Sequence, residues 1–155
     1  MSAKRAVTML LILGACCVAS LAGGVKSASA NSCTPGFWKN HPEIWDTNGS
    51  SVTAPYTTST LIGDVFTGSH YANLTLLDGL GLQGGPGLLG AEQTLLRAAI
   101  ARLLNEAGTQ NTSHVQIVIT RVNALLANGT RDQMIAQANR WDTINNSGGC
   151  STFGG

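Results

Sequence analysis

Hydrophobic residues recur every three or four positions along the second half of the chain, which is the spacing of one face of an α-helix. A first helix is predicted over residues 88–107, ended by Gly108, with its apolar positions at Leu89, Leu96, Ala99, Ile100, Leu103 and Leu104. A second segment, which stops at Gly129, carries Val115, Val118, Ile119, Val122, Leu125 and Leu126. A third carries Met134, Ile135, Ala138, Trp141 and Ile144. Three amphipathic helices on short connections predict a small all-α bundle.

Two of these helices have a recognisable start, a Ser or Thr followed three residues later by Gln, which is the pattern of a capping box. The two boxes are Ser113–Gln116 and Thr130–Gln133. The β-branched run 115–119 also suits a strand, but its continuation into Asn123–Ala127 favours a helix. The first half is less regular, with short helices predicted over 61–66 and 74–82, a Ser/Thr/Asn-rich loop over 47–60 and a glycine-rich hinge over 83–90. We therefore predict a helical bundle with a loop-rich N-terminal half.

The first thirty residues have the three-part layout of a secretory signal peptide. A short basic start is followed by an apolar stretch and then by Ala28-Ser-Ala30, which predicts cleavage after Ala30. A retained transmembrane anchor is the weaker alternative, because the apolar run barely reaches the length of about 20 residues that a span requires. A second alternative is lipidation at Cys16, since Leu13-Gly-Ala-Cys16 has the form of a lipoprotein signal. We predict a signal peptide over 1–30 and one secreted domain over 31–155.

The charge balance narrows the range of partners. The full chain of 155 residues is 11% charged with a net charge of +1, and removal of the signal leaves six basic residues against eight acidic ones. A net negative domain lacks the basic footprint of a nucleic-acid binder. We therefore expect no nucleic-acid partner, and no transmembrane anchor after signal cleavage. The predicted location is the cell surface or the extracellular medium.

Two cysteines remain in the predicted mature chain, Cys33 near its start and Cys150 near its end. An even pair in an exported protein predicts one disulfide joining the termini, with Cα atoms about 5–6 Å apart. Two free thiols are the alternative, which an oxidising compartment disfavours. A zinc site is not predicted, because no Cys-x-x-Cys pair is present.

Aromatic residues are concentrated directly after Cys33. In one hypothesis the tryptophans of this segment fill the end of the bundle beside the disulfide, because large aromatic side chains dominate small cores. In the other, the segment is a recognition surface that stacks on a sugar ring and hydrogen-bonds its hydroxyls. The candidate binding residues are Phe37, Trp38, Lys39, Asn40, His41, Glu43 and Trp45. If the segment is helical, Trp38, His41 and Trp45 share one face. We expect Trp38 to be buried and Trp45, which precedes a polar stretch, to be the more exposed.

This segment resembles the opening of a set of secreted bacterial proteins whose mature domains begin Cys-Thr-x-Gly-(Phe/Tyr)-Trp-Lys-Asn-His-Pro-Glu-x-Trp. The resemblance extends along most of the predicted mature chain. Its further matching segments are Leu76-Leu-Asp78, Leu95-Leu-Arg97, Leu103-Leu-Asn105 and Asn145-Asn146. The family has no established activity, so the resemblance implies export and a helical domain and does not imply a reaction.

Other patterns that could indicate a cofactor site, a metal site or catalysis are weak. Gly79-Leu-Gly-Leu-Gln-Gly84 fits the dinucleotide fingerprint, but no strand–helix–strand pattern surrounds it, so no cofactor is predicted. The histidines His41, His70 and His114 lack metal-ligand spacing, and His41 and Glu43, two residues apart, would diverge on a helix. No metal site is predicted. The carboxylates Asp46, Asp64 and Asp78 are scattered, and whether they meet in space is open.

No catalytic residue is predicted, because the sequence has no Gly-x-Ser-x-Gly and no unpaired cysteine in the mature chain. We therefore expect a secreted or cell-surface protein with a non-catalytic structural or binding role. Its expected partner is cell-wall or other extracellular glycan, or another surface protein. The alternative hypothesis is a small extracellular enzyme that acts on glycans or cell-wall material.

Overall fold

The computed structural model describes residues 32–45 and 53–150, and within these ranges all regular secondary structure is helical. The seven helices are α1 (Pro35–Asn40), α2 (Pro42–Trp45), α3 (Ile62–Val65), α4 (Leu76–Leu80), α5 (Gly87–Gly108), α6 (Thr112–Asn128) and α7 (Arg131–Asn145). The prediction of an all-α bundle with a loop-rich first half is confirmed. The predicted signal peptide, with Cys16 inside it, and the carboxylate Asp46 lie outside the described residues.

Helix α5 forms the centre of the bundle. Helix α7 packs along it most extensively, and α6, α4 and α1 also contact it. Because neighbours surround α5, the stretch 98–101 is buried at every position rather than on one face. Small alanine side chains in this stretch let the neighbouring backbones approach closely. The long helix predicted over 88–107 is thus correct in position, but its burial extends well beyond the predicted apolar face.

The two predicted capping boxes have different outcomes. Thr130 caps α7 as expected, since its Oγ1 accepts a hydrogen bond from Gln133 N while Gln133 Oε1 accepts one from Thr130 N. The box at Ser113 was a wrong prediction, because α6 already begins at Thr112 and Asn111 is its N-cap. An asparagine caps a helix as well as a serine does.

The first half is organised by one turn that returns the chain onto α5. Leu61 and Thr75 form an isolated antiparallel bridge, which places α3 and α4 side by side. Helix α4 then lies directly on α5 at Gly79, where an added Cβ would be only 2.3 Å from Ile100 Cδ1. A residue without a side chain is required at this contact.

The glycine-rich stretch 83–90 is packed against α5 and is not a separate hinge. Its last four residues, Gly87–Gly90, already belong to the helix. Gly84 N donates to Gln93 Oε1 at 3.1 Å, and a Cβ on Gly90 would lie 2.1 Å from Gly85 O. The glycines therefore allow close backbone contact, which is their observed use in this fold.

The disulfide between Cys33 and Cys150 closes the bundle, with Cα atoms 4.7 Å apart. This confirms the predicted pairing, at a distance inside the usual range for disulfides. Cys33 is completely buried, and Cys150 is partly buried against the same core. None of the helices in residues 32–45 and 53–150 has the length and hydrophobicity that a membrane crossing requires.

Candidate functional site

The aromatic segment after Cys33 folds as two short helices that meet at His41. Thr34 caps α1 through a hydrogen bond from Phe37 N to its Oγ1, and Pro35 occupies the first turn. His41 ends α1 because the following Pro42 disfavours a helical conformation in the residue before it. A shared face for Trp38, His41 and Trp45 was expected only if one helix contained all three, and the break at His41 means that none does.

Both tryptophans of the segment are buried. Trp38 and Trp45 have no exposed surface, and Trp45 Nε1 donates to Trp38 O at 3.1 Å. Burial of Trp38 is confirmed, whereas the expectation that Trp45 is the more exposed indole was wrong. The break at His41 reorients α2, so the Trp45 indole reaches α1 although a polar stretch follows it in sequence.

A buried hydrogen-bond network fixes this segment to the bundle. Asn105 Oδ1 accepts from Cys33 N at 3.0 Å and from Trp38 Nε1 at 3.1 Å. Asn105 Nδ2 donates to Cys33 O at 2.9 Å and to Asn145 Oδ1 at 3.0 Å. Asn145 Nδ2 donates in turn to Ala98 O at 3.1 Å. We call Cys33, Trp38, Asn105 and Asn145 the Asn105 network.

Sequence reasoning did not assign a role to Asn105 or Asn145, although a usable pattern was present. Each asparagine lies four residues after a buried apolar residue, Ala101 for Asn105 and Trp141 for Asn145, and both are almost completely inaccessible. A polar side chain in such a position needs hydrogen-bond partners, because a buried unsatisfied amide is strongly unfavourable. The two residues could therefore have been recognised as members of a network, but their partners could not.

Burial of the indoles leaves a smaller exposed surface on the aromatic segment. Lys39, Asn40 and Glu43 are exposed, while the rings of Phe37 and His41 are half-buried and lie 4.6 Å apart. His41 Nδ1 is 3.0 Å from Glu43 Oε1, so the expectation that these side chains diverge was wrong. They meet because His41 lies between the helices and not within one.

The carboxylate of Glu43 is stabilised in its charged form. The pKa of Glu43 lies below its usual value because the carboxylate accepts a hydrogen bond from its own backbone, and secondly because it bonds the His41 side chain. Ionisation of this exposed group accords with its place in the first turn of α2, next to the positive end of the helix.

A second polar cluster forms around the buried carboxylate of Glu92. Ser69 Oγ donates to Glu92 Oε1 at 2.8 Å, His70 N donates to the same oxygen at 2.8 Å, and His70 Nδ1 lies 2.7 Å from Oε2. A nucleophilic serine would instead bond the imidazole, which would accept its proton. The cluster therefore has the geometry of a structural tether between the 69–72 turn and α5.

Two of the three scattered carboxylates, Asp64 and Asp78, lie within the described residues. Asp78 completes a capping box with Thr75 at the start of α4, and hydrogen bonds from the Thr75 hydroxyl and backbone lower the pKa of Asp78. Asp64 is exposed on α3. In residues 32–45 and 53–150, no three His, Cys, Asp or Glu side chains are grouped so as to hold a metal ion.

A cleft lies where α6 and α7 diverge over α5. Both helices pack on α5 much more than on each other, which leaves a space of about 490 Å³ between them. We call this space the α6–α7 cleft, and its main lining residues are Arg102, Ile117, Arg121, Arg140, Trp141 and Ile144. The volume lies within the range of small-molecule sites in proteins.

The lining of the cleft is basic and apolar together. It includes three of the six Lys and Arg residues in the described part of the chain, on three different helices. Arg121 Nε donates to Gln137 Oε1 at 3.1 Å, which orients the Arg121 guanidinium. Arg121 and Arg140 are both exposed. The sequence pattern gave no indication of this cleft.

Arg102 lies deepest of the three, with a side chain only 13% exposed. Its Nη2 pairs with Glu106 Oε1, and His114 Nδ1 lies 3.3 Å from the other oxygen of the same carboxylate. Its Nη1 is buried and has no hydrogen-bond partner within the described ranges. One carboxylate therefore contacts the cleft's buried guanidinium, and the cleft as a whole keeps an excess of positive charge.

Comparison with protein-family models, with curated proteins and with solved structures found no match to this chain. The resemblance of the aromatic segment to secreted bacterial proteins is therefore still a prediction.

Proposed function

We propose that this protein is exported and acts outside the cytoplasm as a non-catalytic binding or structural domain, within the set of secreted bacterial proteins that it resembles. The proposal rests on one observation, which is that the most distinctive side chains of the protein stabilise its fold. The aromatic segment, the cysteines and the Asn105 network together close one end of the bundle. Disulfides persist in oxidising compartments, which supports export.

The non-catalytic part of the proposal is supported by the polar clusters. Ser69 and His70 both bond the Glu92 carboxylate, and Asp78 is engaged in a helix cap. Neither arrangement provides a hydroxyl or thiol nucleophile with an adjacent base, which acyl transfer by serine or cysteine requires. The α6–α7 cleft, with its basic and apolar lining, has instead the character of a binding site.

Export is tested by intact-mass analysis of protein recovered from culture supernatant and from envelope fractions. The expected mass begins at Asn31, after the Ala28-Ser-Ala30 site. A matched control is Ala30→Phe, which removes the small residue at the cleavage site and should retain the precursor. A mass that begins at Cys16 with added acyl chains would contradict secretion and place the protein on a membrane.

The non-catalytic role is tested by incubating purified protein with cell-wall material and analysing both phases. The proposal expects co-sedimentation of the protein with the insoluble material and no release of soluble reducing sugars. Release of such fragments in proportion to protein concentration would instead support the extracellular enzyme. Failure to co-sediment with any envelope fraction would contradict a binding role there.

A further inference from the structure

We infer that the α6–α7 cleft binds a small organic carboxylate that carries an apolar body. The inference rests on the proposed function, because it names the chemical class of ligand that such a binding domain would accept. It requires a site with room for a small molecule, an excess of positive charge, and apolar surface beside that charge.

The charged part of the cleft matches a carboxylate. Arg102, Arg121 and Arg140 line the cleft from α5, α6 and α7, and together they are half of the basic side chains in the described residues. A planar guanidinium pairs with a carboxylate through two parallel hydrogen bonds, which makes arginine well suited to this group. Glu106 pairs with Arg102, and the two further positive charges in the cleft, on Arg121 and Arg140, favour a bound anion.

The buried end of the cleft has an incomplete hydrogen-bond set. Glu106 satisfies Nη2 of Arg102, but the buried Nη1 has no partner in the part of the chain that the structure describes. Buried donors without acceptors are rare in folded proteins because desolvation is then uncompensated. Nη1 itself is inaccessible from the cleft, so the exposed guanidinium groups of Arg121 and Arg140 are the ones that would hold the ligand's carboxylate.

The apolar lining of the cleft indicates that the rest of the ligand is apolar. Trp141 and Ile144 line it from α7, and Ile117 from α6. Ile117 is 61% exposed, the most exposed large hydrophobic residue in the described part of the chain, and it also lines the adjoining shallow groove on α6. An apolar ligand body would remove this surface from water, which inorganic anions cannot do.

The test measures binding of 4-phenylbutyrate to the purified, disulfide-bonded protein by isothermal titration calorimetry. We expect saturable one-to-one binding with a Kd of about 10 µM to 1 mM, which suits a ligand of this size. Two related probes separate the contribution of the carboxylate to binding from that of the apolar body. Butyrate retains the carboxylate with little apolar body, and 4-phenylbutanol retains the body without the charge, so each should bind at least roughly tenfold more weakly.

Variants locate the site. Arg121→Gln and Arg140→Gln should each weaken 4-phenylbutyrate binding at least roughly fivefold, because each removes a charge-assisted hydrogen bond. Arg131→Gln is the matched control, since it removes the same charge from α7 at an exposed position that pairs with Asp132 outside the cleft. All three arginines are exposed, so circular dichroism should show an unchanged fold.

Each remaining outcome overturns the inference. Absence of 4-phenylbutyrate binding, equal weakening by Arg131→Gln, or inorganic phosphate binding as tightly as 4-phenylbutyrate would each contradict it. If the inference is wrong but the protein is exported and co-sediments with envelope material, the proposed function still holds. If instead the protein is not exported, the proposed function fails whatever the cleft binds.

Discussion

Replacement of Asn105 by alanine removes the centre of the Asn105 network and should destabilise the fold severely. The side chain is 1% exposed and makes four hydrogen bonds, two to the Cys33 backbone and one each to Trp38 Nε1 and Asn145 Oδ1. These partners are buried in the native fold and are not in contact with bulk water. The loss in the free energy of unfolding therefore exceeds the loss caused by removing a single exposed amide.

The magnitude follows from the groups that lose a partner. The Cys33 N–H, the Cys33 carbonyl and Asn145 Oδ1 are buried polar groups, and leaving each without Asn105 costs about 1–3 kcal/mol. We therefore expect a loss of about 3–9 kcal/mol, against a total stability of about 5–15 kcal/mol for a typical domain. With a urea m-value of about 1–3 kcal/mol/M, a loss of 3 kcal/mol lowers the unfolding midpoint by about 1–3 M.

The assay is urea unfolding followed by tryptophan fluorescence and by circular dichroism at 222 nm. Asn139→Ala is the control, because this asparagine is exposed on α7 and its replacement should change stability by less than about 0.5 kcal/mol. Asn145→Ala removes fewer bonds and provides a measurable variant if Asn105→Ala fails to fold. In the double variant the two losses should not add, since the residues share a hydrogen bond. Equal midpoints for Asn105→Ala and Asn139→Ala would refute the structural role of the network.

Three further predictions concern the core, the disulfide and a buried charge. Trp45→Ala should cost about 3–5 kcal/mol in urea unfolding. Trp45→Phe should cost less, because it removes the indole N–H that bonds Trp38 O and part of the ring but keeps an aromatic side chain. An insensitive Trp45→Ala would contradict its burial. Reduction of Cys33–Cys150 should remove up to about 4–5 kcal/mol by the loop-entropy model and lower the melting temperature with the helical spectrum retained; an unchanged melting temperature would contradict this. Burial raises the pKa of Asp142, so its charged form opposes folding at neutral pH and its protonated form does not. Asp142→Asn should therefore raise the urea midpoint at pH 7 but not at pH 3, and an equal rise at both would contradict the cause.

The sequence predicted those features that depend on local pattern. The three long helices follow from apolar residues at helical spacing, and the cap at Thr130 follows from a local pair of side chains. The disulfide was predictable because only two cysteines remain after the predicted cleavage. In each case the decisive residues are close in sequence or few in number.

The wrong predictions each depended on how the chain turns in space. Gln110 adopts a positive φ of 57° between α5 and α6, and the turn around it makes Asn111 the helix cap instead of Ser113. Trp45 was expected at the surface from the polar residues after it, but the break at His41 carries its indole to the Trp38 carbonyl. Local composition contains no information about either reorientation.

The aromatic segment and the α6–α7 cleft differ in how much of each could be predicted from local sequence patterns. Within the segment, the Thr34 cap, the stop at Pro42 and the bonds of the Trp38 indole each account for a residue type by its structural role. Structural demands can therefore explain Thr34, Pro42 and Trp38. The cleft arginines Arg102, Arg121 and Arg140 are about nineteen residues apart and form no local pattern. They meet only because α6 and α7 both pack on α5 and diverge from one another. A cleft built in this way cannot be predicted from a local motif and becomes apparent only when the helices are assembled.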